Sequence, residues 1–326
     1  MSDPSATSLA IESTTAEELA AGQPIHTGTG SGGGSTDKPR GLLGDAWHDL
    51  RGNPLFWIAG AFIVLFIIMA AFPQLFTSKD PTEAMLSRSR QGPSSEAWFG
   101  YDVQGADLYA RVIYGTRASL LVAVLSTLGT VVFGSLIGIL AGFRGGWGDS
   151  FLSRIADIFF GIPFLLGAIV ILFTFNPPGS DRSEFTILMI VVTSLVVLSW
   201  PVSMRVMRSS VLATRNADYI IAARALGASN FRIIMRHLLP NCLAPALVYA
   251  TILLGSFIGA EATLSYLGVG LKPPTQSWGI MVAESQDYLR VSPQLLLFPA
   301  AFLVVAVLSF VTMGEAVREA LDPKLR

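Results

Sequence analysis

Residues 220–240, IIAARALGASNFRIIMRHLLP, place three arginines and a histidine inside a chain that is 52% hydrophobic and only 14% charged. Good helix formers fill the stretch, with apolar side chains at helical spacing on both sides of one glycine. Ile220, Ile221, Ala222, Ala223, Ala225 and Leu226 precede it; Phe231, Ile233, Ile234, Met235, Leu238 and Leu239 follow. Gly227 suits a helix C-terminus, where glycine adopts a left-handed backbone most easily. The spacing therefore predicts two short helices meeting at Gly227. An alanine face lets another protein's backbone come close, and flanking arginines reach carboxylates at the rim of a cleft. The same residues also suit an amphipathic helix lying on anionic headgroups. Composition ranks these two readings about equal.

Around this stretch the chain is that of a membrane protein, with mean hydropathy +0.56 and a charged fraction well below the roughly 25% of soluble domains. A net charge of −1 gives no global field for nucleic acid, so an electrostatic partner must meet a local patch. Six apolar runs, near 55–76, 118–142, 157–175, 185–204, 243–268 and 295–314, are each long enough to cross about 30 Å of hydrocarbon as helices. They lack the alternation of a membrane barrel. With the N-terminus inside, 14 of the 22 Lys and Arg residues fall on cytoplasmic segments, so the positive-inside bias puts both termini in the cytoplasm. The resulting organisation is an N-terminal tail (1–40), a juxtamembrane segment (41–54), a first span (55–76), an outer segment (77–117), a five-helix core (118–314) and a C-terminal tail (315–326). Residues 205–242 form a long inner loop within the core. The tail is Ser-, Thr- and Gly-rich, reads as disordered, and lacks the apolar core of a cleaved signal peptide. Its GSGGGSTDK has no Gly-Lys-Ser/Thr and reads as a linker rather than a phosphate loop. Cys242 is the single cysteine and His26, His48 and His237 lack ligand spacing, so no metal site is expected.

The inner loop resembles the cytoplasmic EAA loop of permease subunits in ABC importers, with Ala222, Ala223, Gly227, Leu239 and Pro240 on the pattern. Ile221 replaces its glutamate and His237 its isoleucine, while AARALGA and RHLLPN look typical of the dipeptide and oligopeptide branch. WFGYDVQGADLYARVIYGTRASL before the second span is similar to the same branch through Asp102, Asp107, Arg111 and Arg117, with Tyr101 and Ala106 departing from it. YLGVGLKPPTQSWGIMVAES and the C-terminal GEAVREALDP continue the likeness through Gly270, Trp278, Gly314 and Arg318. Four such motifs in order, covering nearly everything beyond residue 97, resemble most the C permease of the peptide importers. Nickel and glutathione permeases of that branch look similar.

This resemblance implies an all-α type I importer permease fold with six spans, working with a second homologous permease, two cytoplasmic ATPases or one fused ATPase, and an external substrate-binding protein. Di- and oligopeptides are the implied cargo. The chain has no Walker A motif, so ATP and Mg are expected on the partner subunits and no cofactor or catalytic residue here. Asp218, Ala222, Ala223, Arg224, Leu226, Gly227, Leu239 and Pro240 are the expected ATPase-coupling residues, with 218–227 as the coupling helix and 228–239 bracing it.

Ionisable groups inside a membrane are costly and merit separate weighing. Asp157, at the start of the third run, lies one turn from Arg154 and is read as its ion-pair partner. Glu261 either pairs with an outer arginine, lines the path, or bonds a neighbouring span. The small residues of GTVVFGSLIGILAGF read as close helix packing, either within the subunit or across a permease dimer, and Pro163, Pro201 and Pro299 as span ends or kinks. Outer segments 77–117 and 269–294 offer a surface for the binding protein, with Trp278 and Tyr288 as lipid-interface anchors. A secondary transporter or channel is the alternative class, and predicts uptake or current without an ATPase. A membrane-embedded enzyme ranks last, because no metal cluster or nucleophile–base pair stands out.

Overall fold

The computed structural model describes residues 42–177 and 179–321, and no strand forms among them. The predicted tail 1–40 and the last five residues lie outside this range. An 11-residue amphipathic helix, α1 (Leu42–Gly52), leads into α2 (Pro54–Ala71), which opens with Asn53 accepting from the Leu55 N–H and proline at the first position. The long helices are α3 (Leu108–Arg144), α6 (Glu184–Thr214), α9 (Leu239–Tyr266) and α11 (Gln294–Leu321). Asp107 and Ser183 cap α3 and α6 by accepting from the N–H groups of Ala110 and Thr186. Among the described residues, five helical segments are long and apolar enough to cross a bilayer: α2, α3, α6, the continuous run Asn230–Tyr266, and α11.

Several expected spans are the middles of longer rods. The helix around 118–142 extends to 108–144, that around 185–204 runs on to Thr214, and α11 passes residue 314 to reach Leu321. Consequently the loop expected over 205–242 shrinks to a short crossing between Thr214 and Asn230, carrying α7 (Asp218–Ala225). Pro201 and Pro299 sit inside helices that continue through them.

Residues 157–175 form no continuous span. Helix α4 (Gly146–Phe160) stops and α5 (Phe164–Phe175) leaves at 88° to it. Pro163 supplies the cause: its missing N–H and ring disfavour helix, and the residue before it is pushed out of the α region. Asp157 on α4 pairs with Arg205 of α6 at 2.6 Å rather than with Arg154, because α6 runs alongside. A second bridge, Arg208 to Asp149 at 2.7 Å through Nη2, ties the other end of α4 to α6.

Close backbone approach holds α3 and α6 together in parallel. A Cβ on Gly134 would sit 2.7 Å from the Trp200 carbonyl oxygen, and one on Gly138 2.6 Å from that of Met204. Glycines every fourth residue align on one helical face, which permits this contact in lipid, where hydrophobic driving force between helices is absent. Gly255 and Gly314 do the same between the antiparallel α9 and α11, facing Val307 and Ile252 respectively. The small residues of the second run thus pack within this chain. At one end of the bundle lie Gly227, α1 and α7; at the other lie residues 72–107 and α10 (Trp278–Ser285).

Candidate functional site

At the Gly227 end, α7 is a two-turn helix whose termination is fully specified. The Ala228 N–H donates to the Ala223 carbonyl and the Gly227 N–H to the Arg224 carbonyl, both at 3.0 Å. This is a Schellman closure, and it requires the left-handed backbone that Gly227 adopts at φ +82°. Leu226 at the tip is 88% exposed, and Ile221, Ala222, Arg224 and Gly227 are exposed beside it. Asp218 is exposed in the first turn. Ala223 is half-buried, so its chief contribution is the carbonyl that closes the cap.

The opposite face of α7 is anchored. Ile220 is fully buried with Met207 and Val211 of α6, Ile139 of α3, and Ile233, Leu238, Cys242 and Ala246 from the helical run that follows. The Asn241 amide donates to the Tyr219 hydroxyl at 3.2 Å, adding a polar tie to α9. Arg215, just before α7, donates to the Gly142 carbonyl of α3 at 2.8 Å.

Residues 228–239 depart from a separate bracing helix. Ser229 caps α8 (Asn230–Ile233), which passes through a π turn (Ile234–Leu238) directly into α9. The Leu239 N–H reaches back to the Ile234 carbonyl, five residues earlier, and Pro240 follows in the first turn of α9. A wider turn accommodates a proline that donates no hydrogen bond. Leu239 is half-buried and Pro240 exposed on this continuous helix, so they belong to the base and not to the tip.

The other end is a polar clamp rather than a lipid anchor. Trp278 is 0% exposed; its indole N–H donates to the Val112 carbonyl at 3.0 Å and its ring meets Phe66 and Phe302 edge-on. This overturns its reading as an outer contact residue: α10 folds inward because Ser277 caps it and Gly279 lies against the Ala262 backbone. Tyr288 is half-buried beneath the Arg90 guanidinium, 5.2 Å from its ring centre. Glu261 bonds a neighbouring span, accepting from Ser119 of α3 at 3.1 Å and from Ser265 at 2.8 Å. Sequence reasoning gave no role to Arg111, which is buried and joins Asp102, Glu284 at 2.9 Å and Gln276 at 2.7 Å. Its signal was an arginine at the edge of an apolar run, since a buried guanidinium needs several acceptors.

A bundle of long helices with α3 and α6 in parallel, a broken third segment and an exposed short helix at one end define a type I ABC importer permease fold. Residues 134–326 match the family described as binding-protein-dependent transport system inner membrane component, and residues 41–93 match the N-terminal TM domain of oligopeptide transport permease C. The chain belongs to this permease family. It is 37% identical to a dipeptide transport system permease protein DppC of Alkalihalophilus pseudofirmus, over 86% of this chain and 90% of that protein. Identity is 33% to the oligopeptide transport system permease protein OppC of Bacillus subtilis (93% and 97% covered). It is 34% to the glutathione transport system permease protein GsiD of Pectobacterium atrosepticum (82% and 86% covered). An inward-facing structure of the MetNI methionine ABC transporter aligns at TM-score 0.52 and 23% identity, over 65% of this chain and 96% of that one. This last likeness concerns the fold.

Proposed function

We propose that this chain is the C-type permease of an ATP-driven peptide importer, with α7 as the helix that docks into a cytoplasmic ATPase. The observation that carries this reading is the two-faced construction of α7: an exposed Leu226 tip held by a glycine cap, and a buried Ile220 base that joins α3, α6 and α9. A push on the tip reaches three long helices through a packed core, which moves as a unit because such cores do not deform continuously. The Gly227 end then faces the cytoplasm and the Trp278 end faces outward, with both termini inside. ATP and Mg belong to the ATPase pair, a second homologous permease completes the path, and an external binding protein delivers cargo. Peptide is favoured over glutathione because identity reaches 37% with the dipeptide permease against 34% with the glutathione permease named above, and because residues 41–93 match the N-terminal domain of oligopeptide permease C.

Leu226→Glu tests the coupling role at a position where the side chain meets no other part of this chain's core. Uptake by the assembled importer is expected to fall at least tenfold with unchanged membrane insertion and protein level. Wild-type uptake by this variant sinks the assignment.

A further inference from the structure

Between α3, the start of α6 and the Pro274–Gln276 turn lies a cavity of about 310 Å³ at the Trp278 end. Its volume falls at the lower end of small-molecule sites. Leu121 and Leu188 give it apolar wall, and Tyr114 and Gln276 add polar groups. Two opposite charges, Arg117 and Glu184, line it together, yet no ion pair joins them among the described residues.

Each charge is oriented by one edge. Arg117 donates through Nε to the Ala70 carbonyl at 2.9 Å and through Nη2 to that of Ala71 at 3.4 Å, closing the end of α2. Its remaining nitrogen is left for another acceptor. Glu184 accepts from the Thr275 hydroxyl at 2.7 Å through Oε2, leaving Oε1. It also sits in the first turn of α6, where the helix N-terminus favours its negative charge.

We propose that this cavity is an entry subsite for the charged ends of a small peptide, in which Glu184 receives an ammonium group and Arg117 a carboxylate. A site reading only the termini would accept peptides whatever their side chains, and a charge-assisted bond at each end supplies the discrimination. The inference rests on the peptide-importer reading above, with this end outward.

The test uses proteoliposomes holding the complete importer and saturating amounts of its binding protein. Uptake of dialanine is compared with that of N-acetyl-dialanine and dialanine amide, and the binding protein's own affinity for each is measured separately and divided out. Wild type is expected to prefer the free peptide about tenfold over each blocked form. E184Q removes the preference against the acetylated form by slowing the free peptide, and R117Q removes the preference against the amide. R117Q keeps an amide donor for the α2 carbonyls, and thermal unfolding in detergent separates a folding defect from a recognition defect. E184Q, which leaves that cap intact, decides the matter if R117Q fails to fold. Unchanged ratios in folded E184Q, or an equal slowing of all three peptides, overturn the subsite. If wild type moves glutathione but no dipeptide, the peptide reading has failed while the subsite stands or falls on E184Q with glutathione and its N-acetyl form. A transporter that moves no amine-and-carboxylate cargo overturns both.

Discussion

Gly227 shows how a single backbone angle governs the tip of α7. Its φ of +82° costs glycine little, whereas a branched side chain there pays about 1–2 kcal/mol before any contact is counted. Beyond its immediate chain neighbours no atom lies within 4 Å of where a Cβ would be, so the penalty comes from the local backbone and not from tertiary contacts. Gly227→Val is therefore expected to fray the cap and cut coupled uptake severely, while Gly227→Asn retains a substantial part because asparagine tolerates the left-handed region. Uptake at matched protein levels checks this ordering; equal activity of both variants contradicts it. Ile221, where the resembled pattern has glutamate, is exposed on the same helix, so the surface offered here is more apolar at that position.

Helix pairs impose a different kind of constraint. α3 and α6 touch backbone to backbone at Gly134 and Gly138, and α6 continues to the core beneath α7. Gly138→Ile places carbon atoms where the Met204 carbonyl oxygen already sits 2.6 Å from an ideal Cβ. The pair must then separate, with a stability loss of about 1–3 kcal/mol, typical of overpacking. A lower unfolding temperature of the purified complex is the expected readout, against little change for isoleucine at Gly148, which has open space around it. The α4 elbow contrasts with this: its Arg205–Asp157 bridge is exposed and contributes at most about 1 kcal/mol, so packing rather than that pair holds the bundle.

Over the whole molecule, the two ends divide the work. One end presents an apolar tip on a rigid base; the other is locked by Trp278, Arg111 and Glu261 into a folded cap. A single chain with this construction has no phosphate-binding loop of its own. Purification in mild detergent is expected to recover a second permease and two ATPase polypeptides, or one fused ATPase. A homo-oligomer active in transport without them refutes the importer assignment and favours the secondary-transporter alternative.

What the sequence determined by itself was five of the six apolar runs as helices and the helix end at Gly227, because hydrophobic run length and glycine chemistry act locally along the chain. It also carried the family, through motifs whose spacing survives without any knowledge of contacts. Tertiary structure alone decided that Trp278 points inward, that Asp157 chooses Arg205 over Arg154, and that Arg111 becomes the centre of a buried network. Those outcomes depend on which helix lies beside which, and an all-round apolar span carries no periodic mark of its neighbour. The cavity between Arg117 and Glu184 belongs to the same category, since residues 67 apart in sequence share a site only after α3 and α6 have packed.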